Sequence, residues 1–415
     1  MLKEVAVEDR VLAVFIDGLR PDGVDQMPFV RGLPEMRRLT TELGYSVTCH
    51  ASMYTGLRPD RHKLWFVWVR DPAGSPFRGM RWLRAVAKVD SLPLRLAVQK
   101  VLKSAGRLKS GGFFGVPRIV HLPIRWWSQL SVAEDRLWWE DGYLPGSPTV
   151  FETLKAHGQT WAFAKPPLRP LADAPLRLGE AASKASVVYL FIGDVDAVSH
   201  ASGQDSIAAR DVLARVDAAI SDAVAELEQI DGRRPTILLW SDHGHTPTRK
   251  VDPFQLARSV GIHLDAYLHV IDANFLRLWH DDPSVRNDLE RRLGTLEGGR
   301  VLDEGLRREF RCPVDDRRWG DIIFYLDAPG VFSRTIWGFS RHMRSAHGYW
   351  PTLPDSDGVV VSNRRLRDGP THIVDIAPTI LSLVGIEPDT NLDGSSLLGV
   401  GDERPDQGIR SRAAR

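Results

Sequence analysis

The chain reads as an α/β protein: a central, mostly parallel sheet flanked by helices on both faces, with an inserted cap. Three observations lead there. Residues 11–16 are a continuous apolar run, as expected of a strand buried on both faces, and the largely apolar segments 186–192 and 236–240 read as further strands. A helix-period segment at 205–228 connects the last two, with Val212, Val216, Ile220, Val224 and Leu227 on one face. The 415 residues, 43% hydrophobic and 26% charged, suffice for a large core.

The first run, Val11–Ile16, ends at Asp17-Gly18, delivering an acid at the carboxyl edge of a strand, where open α/β sheets bind ligands. Asp-Gly is equally common in plain turns. Residues 45–59 read as a strand or loop turning into a helix, with Ser46 at the junction. A helix start favours an anion, and a serine there can act as a nucleophile or simply as an N-cap.

Residues 67–170 are assigned to the cap. Eight of the 13 tryptophans fall at 65–170: Trp65, Trp68, Trp82, Trp126, Trp127, Trp138, Trp139 and Trp161. From Arg70 to Arg125, 12 Lys or Arg face only Asp71 and Asp90, a balance of 12 − 2 = +10. Leu94, Val98, Val101, Ala105 and Leu108 recur at helical spacing, while Arg95, Lys100, Lys103, Arg107 and Lys109 fall mostly elsewhere. That pattern is a basic amphipathic helix, broken at residues 111–115, and it suits an anionic membrane surface or a solvated face. The catalytic domain is assigned to 1–66 and 171–400. Its later part holds strands at 266–271 and 321–325, a charged helix at 284–296 and a late helix at 373–384. Residues 401–415 are expected to form a flexible tail.

Net charge is +1, which gives no polyanion-binding signature and no nucleic-acid partner. Cys49 and Cys312 imply no disulfide framework. The first ten residues lack a signal-peptide core, and no apolar run is long enough to span a bilayer. A cytoplasmic protein, peripheral to a membrane at most, is therefore expected. Oligomeric state is not legible.

Four strand-to-loop junctions carry metal-ligand residue types: Asp17; Asp196 with His200; Ser241-Asp242-His243-Gly244-His245; and His347-Gly348-Tyr349. Aspartate with histidine suits zinc or a similar divalent ion. Each alone has an ordinary explanation, as a turn or a surface pair. Their coincidence at the carboxyl ends of strands points to one site.

In order and spacing the chain resembles the alkaline phosphatase superfamily, and within it the nucleotide pyrophosphatase/phosphodiesterase branch. The carrying residues are Asp17-Gly18, Ser46 followed by Thr55-Gly56-Leu57-Arg58-Pro59-Asp60-Arg61-His62, Asp196 to His200, Ser241-Asp242-His243-Gly244 and His347-Gly348-Tyr349. Asp375-Ile376-Ala377-Pro378-Thr379 and Leu392-Asp393-Gly394 resemble the family's C-terminal end. The likeness covers about residues 10–66 and 185–400. It implies an alkaline phosphatase-like fold and a phosphoester hydrolase working through a phosphoseryl intermediate on Ser46. It also implies two divalent ions, Zn2+ with Mn2+ as alternative. Asp196, His200 and His347 would hold one; Asp17, Asp242, His243 and Ser46 the other.

Some positions depart from the family pattern. Ser46 stands where threonine is usual, and does the same chemistry. Val67 replaces a phosphate-binding asparagine, and Lys63 a glycine. Cys49 and Ala51 replace Asn and Tyr, while His50 reads as structural. Val47 and Lys63 are the candidate substrate-binding positions. The substrate would be a small-molecule or lipid-linked phosphoester. A phosphomonoesterase or sulfatase of the same superfamily is the alternative, although Ser46 lacks the following x-Pro-x-Arg that a sulfatase needs. An inactive scaffold or anionic-surface binding module is the alternative of another class.

Overall fold

The computed structural model describes residues 10–80, 82–106, 116–166, 169–171, 177–339 and 343–399. Its first half contains β1 (Val11–Ile16), β2 (Glu35–Leu39), α1 (Ser46–Thr55), β3 (Trp68–Arg70), α2 (Leu92–Ser104), β4 (Leu130–Val132) and β5 (Trp161–Phe163). There follow β6 (Val187–Ile192), α3 (Asp194–Ser202), α4 (Ile207–Asp231), β7 (Thr236–Trp240), β8 (Leu268–Ile271) and β9 (Phe275–Trp279). The last elements are β10 (Gly299–Val301), β11 (Ile322–Leu326), β12 (Ser345–Ala346), β13 (Gly358–Ser362) and α5 (Ile376–Leu383).

The central sheet has the order β2-β13-β7-β1-β6-β5. β5, β6, β1 and β7 are parallel, and β13 is antiparallel to both β7 and β2. Only β13 thus runs against the rest, in keeping with the mostly parallel sheet expected. Alternate residues explain the continuous apolar runs. Leu12, Val14, Ile16, Leu190 and Leu239 pack under α4 through Val212, Val216, Ile220 and Leu227. Ala13, Phe15, Tyr189, Phe191 and Trp240 meet the opposite layer, which includes Met53 and Tyr54 of α1 and Ile380 of α5. Each such side chain contributes roughly 1.5–3 kcal/mol when buried, so both layers hold the sheet rigidly beneath its carboxyl edge.

Residues 266–271 and 321–325 do form strands, but not in this sheet. β8, β9 and β11 join β10 in a separate antiparallel sheet of order β8-β9-β11-β10. β8 and β9 are separated only by Asp272-Ala273-Asn274, too short for the crossover that parallel pairing needs. The helix expected at 284–296 runs Pro283–Leu293, and that at 205–228 is α4.

The 67–170 block is less separate than expected. β5 is a strand of the central sheet, and Val150–Ala156 is a helix whose Phe151 and Leu154 join the main core. Both elements fall within the stretch assigned to the cap; three-residue β5 is too short to show a strand period. Trp68, Trp127 and Trp138 are fully buried in the core that includes Phe15 and Trp240. α2 exists, but its buried side is Val98 and Leu102, while Val101 is 64% exposed. Leu108, the 111–115 break and the 401–415 tail lie outside the described residues.

Candidate metal centre and active site

Three strand ends converge as the sheet topology requires. Asp17 directly follows β1, Asp196 and His200 sit on α3 just after β6, and Asp242, His243 and His245 follow β7. Asp196 and His200, expected on a loop, are an i,i+4 pair on one helix face, with Nε2 of His200 3.3 Å from Oδ1 of Asp196. His347 arrives from β12, which is paired with Thr246–Pro247.

Ser46 is the first residue of α1. The N-cap is Tyr45, and Ser46 makes no capping bond, so the capping alternative does not hold. Its Oγ lies 3.2 Å from Nε2 of His243. That nitrogen is 3.2 Å from Oδ2 of Asp242 and 3.5 Å from Oδ1 of Asp17. His243 and His347 stack with ring centroids 3.6 Å apart. Nε2 of His347 is 3.6 Å from Oδ1 of Asp196. Tyr45 braces this region: its ring meets His347 edge-on, its hydroxyl donates to Oδ1 of Asn274, and Nδ2 of Asn274 donates to the Gly348 carbonyl.

Among the described residues, three groups could hold a metal ion: Asp17/Asp242/His243, Asp196/His200/His347 and Asp196/His243/His245. The residues fit divalent ions. Oδ1 of Asp17, Oδ2 of Asp242 and Nδ1 of His347 are buried without a hydrogen-bond partner among the described residues, which is costly unless a cation satisfies them. Burial, then the charges of Asp242 and Asp196, pushes the Asp17 carboxyl well above its usual range. Burial and Asp196 push Asp242 up to about 8. Burial lowers His243 to about 4, so its imidazole is neutral and ligand-competent at pH 7. Burial also opposes ionisation of Asp196, but His200 and His245 beside it hold its carboxyl well below the usual range. Nδ1 of His200 faces the Ser345 carbonyl at 2.8 Å, which fixes its proton there and leaves Nε2 free.

The centre opens into a cavity of ≈ 670 Å³ whose described lining includes Phe191, Val198, Ala273, Trp337, Met343 and the cationic Arg169. Among the described residues, the 67–170 block supplies only Arg169 and Pro170 to this lining, and none of its described tryptophans. Nor do the side chains of Val47 and Lys63. Val47 is fully buried in the core, and Lys63 is exposed at the end of the short helix Pro59–His62. Val67 is also buried. His50 packs 4.4 Å from Trp138 and is lowered to about 3 by burial, consistent with a core residue.

Sequence reasoning missed three features. His245, quoted within its motif but given no role, is fully buried with Nε2 3.0 Å from Oδ1 of Asp196. Its repeat in Asp-His-Gly-His was the available signal. Trp337 and Asn274 lie outside any recognised motif and reach the site only through the fold.

The fold and this centre define an alkaline phosphatase-like hydrolase. The type I phosphodiesterase / nucleotide pyrophosphatase profile matches residues 11–350. The chain belongs to that family and is a phosphoric ester hydrolase of the phosphodiesterase/pyrophosphatase kind. The family's members are metal-dependent. Human ectonucleotide pyrophosphatase/phosphodiesterase 5 has a similar structure: TM-score 0.63, 14% identity, covering 93% of this chain and 97% of that one. The murine protein gives 0.60 and 14%, covering 91% and 95%. An inactive threonine-to-alanine variant of the murine protein in complex with AMP gives 0.59 and 14%, covering 91% and 96%. No curated protein matches the sequence.

Proposed function

We propose that the chain hydrolyses a small-molecule phosphoester through a phosphoseryl intermediate on Ser46, with two divalent ions, zinc first and manganese second. The observation that carries this reading is Ser46 Oγ, 3.2 Å from Nε2 of His243 at the start of α1, among groups that could hold metal. Asp17, Asp242, His243 and Ser46 would hold one ion; Asp196, His200 and His347 the other. Such ions, when bound, lower the pKa of a coordinated hydroxyl and neutralise charge on the transferring phosphoryl group.

Ser46 Oγ gives up its proton and bonds to phosphorus as the bond to the leaving oxygen breaks, and that oxygen takes up a proton and leaves as the alcohol. Water then attacks phosphorus and breaks the Ser46 Oγ–P bond, regenerating the hydroxyl. Thr48 and Cys49 donate their N–H groups to the Tyr45 carbonyl. The N–H groups of Ser46 and Val47 remain for the phosphoryl oxygens, so Val47 would act through its backbone. Lys63, exposed and outside the cavity lining, has no role in this reading.

The apolar cavity wall and Arg169 suit a phosphoester bearing a flat or apolar group. AMP, held by the murine relative's variant, is such a molecule, so a nucleotide is the first substrate class and a lipid-linked phosphoester the second. The test is hydrolysis of p-nitrophenyl phosphate, bis-p-nitrophenyl phosphate and p-nitrophenyl sulfate, with and without chelator. Chelator-sensitive cleavage of the diester supports the reading. Cleavage of the sulfate alone would make it a sulfatase, and none at all would favour the inactive scaffold.

A second reading concerns place. Trp82, Val89, Leu92, Leu96 and Val101 are exposed large apolar side chains within 20 residues of the basic block. Lys88, Lys100 and Lys103 form no ion pair with a described residue. Together they suit peripheral contact with an anionic bilayer. Among the described residues, no helix is long and apolar enough to cross a membrane. Both cysteines are free thiols, which supports a cytoplasmic location.

A further inference from the structure

The antiparallel sheet supplies no residue to either proposed ligand set, yet one of its turns reaches the centre. Asp272-Ala273-Asn274 joins β8 to β9. The turn is held on several sides. Asp272 donates its N–H to the Phe275 carbonyl at 2.9 Å, and its carboxylate meets Nε of Arg277 at 2.9 Å, both side chains buried. Phe332 donates to the Ala273 carbonyl at 2.7 Å, and Leu326 to the Asn274 carbonyl at 2.8 Å. A turn anchored in this way is a fixed point for the loops around it.

Asn274, itself 1% exposed, joins two such loops. Its backbone N–H donates to the Tyr45 hydroxyl at 2.9 Å, and that hydroxyl donates in turn to its Oδ1. Its Nδ2 donates to the Gly348 carbonyl at 2.8 Å. The amide cannot be turned over, because Oδ1 would then face a carbonyl oxygen, and neither can donate. Tyr45 immediately precedes Ser46, and its carbonyl accepts from Thr48 and Cys49 in the first turn of α1. Gly348 immediately follows His347. One side chain therefore holds the backbone beside the proposed nucleophile and the backbone beside a proposed ligand of the other ion.

Packing closes the same joint. The Tyr45 ring meets His347 edge-on at 6.0 Å between centroids, and Phe275 of β9 at 5.4 Å. Gly348 has φ +84°, and a Cβ there would lie 2.7 Å from Cε1 of Tyr45 and 2.8 Å from the Gly44 carbonyl oxygen. Glycine thus lets the His347 loop lie flush against Gly44 and Tyr45.

We propose that Asn274 is a positioning residue. Through the Tyr45 hydroxyl and the Gly348 carbonyl it sets the separation between Ser46 and His347, and so between the nucleophile and the ion held with Asp196 and His200. This rests on the two-ion reading above, with Ser46 as nucleophile. An in-line displacement depends on that spacing, and a misplacement of about 1 Å costs roughly 10²-fold in rate. Asn274 is not among the described residues that line the cavity, so its removal takes away no described wall contact with substrate.

The test compares Tyr45→Phe, Asn274→Ala and the double variant of the full chain at saturating Zn2+, with bis-p-nitrophenyl phosphate as substrate. Tyr45→Phe keeps the ring packing and removes only the hydroxyl, so the test does not depend on Asn274→Ala folding. In each single variant kcat per folded molecule should fall at least about tenfold, with KM changed less than about twofold. The double variant should be no slower than the slower single one, because the two groups form one link. Competition titration with Zn2+ should show one ion held as in the wild type and the other about tenfold more weakly. Wild-type kcat, or unchanged affinity for both ions, in the single variants would overturn the proposal even if their unfolding midpoints fell, since a merely structural contact would do only that. Losses that multiply in the double variant would also overturn it. Ser46→Ala measured alongside separates the two levels. If that variant keeps wild-type turnover, the nucleophile reading beneath has failed. If it alone loses turnover, only the positioning role of Asn274 has failed.

Discussion

The imidazole rings of His243 and His347 lie face to face, 3.6 Å between centroids and 9° from parallel. One follows β7 and the other follows β12, so this contact joins two groups the chain brings from about 100 residues apart. Each ring belongs to a different proposed ligand set.

Metal content should follow that division. The wild type is expected to carry about two equivalents. His347→Ala and Asp242→Ala should each lose about one, and the double variant both. Metal analysis after desalting checks this; a fully occupied double variant would end the assignment.

The cavity wall should govern affinity more than chemistry. Trp337 lines the cavity and takes no part in the proposed bond changes. Trp337→Ala is expected to raise KM for an aromatic phosphodiester severalfold, with kcat changed less, because it removes binding shared by ground and transition states. Steady-state kinetics on bis-p-nitrophenyl phosphate separates the two. An equal fall in kcat with unchanged KM would place Trp337 elsewhere in the mechanism.

Much of this was legible in sequence, for physical reasons. Asp17, Asp196, Asp242 and His243 sit directly at or just after strands whose apolar runs mark their own ends. The parallel sheet then forces those ends together. Two of the three central-sheet strands that pattern reading missed are ones it reads poorly. β2, Glu-Met-Arg-Arg-Leu, is a charged strand with only Leu39 fully buried, and β5 has three residues. β13 was a readable apolar run left unassigned. The face of α2 was misassigned because Val101 and Leu102 are both apolar and periodicity alone does not choose between them; packing chose Leu102. Trp337 and Asn274 had no local signal, since only tertiary structure carries them to the site.

The cap surface gives a second measurable consequence. Arg95 is a poor probe of it, because Asp90 holds its guanidinium at 2.6 Å. Neutralising Lys88, Lys100 and Lys103 together should remove salt-sensitive co-sedimentation with phosphatidylserine vesicles. The wild type should pellet, less so at high salt, since each basic residue near such a surface contributes about 1 kcal/mol. Equal behaviour of the two proteins would leave an ordinary solvated face.

Glu42 makes stability depend on pH. It is buried beneath α1, where Ser52 donates to it at 3.0 Å and Arg58 approaches at 3.3 Å. Burial outweighs Arg58 and raises its carboxyl to about 7 from an ordinary 4.5. The folded state therefore binds the proton more tightly than the unfolded state. Stability falls as pH rises from about 4.5 through 7, by about 3 kcal/mol. Denaturant unfolding at pH 5 and pH 8 should show that loss in the wild type relative to Glu42→Gln. A constant difference between the two proteins would contradict it.

The most direct test of the central claim is turnover by Ser46→Ala, measured on bis-p-nitrophenyl phosphate beside its metal content. A serine that forms the bond to phosphorus cannot be replaced by a methyl group. The variant should keep its fold and most of its metal while kcat falls by about 10³-fold or more. Near wild-type turnover in a folded, metal-loaded Ser46→Ala protein would contradict the account.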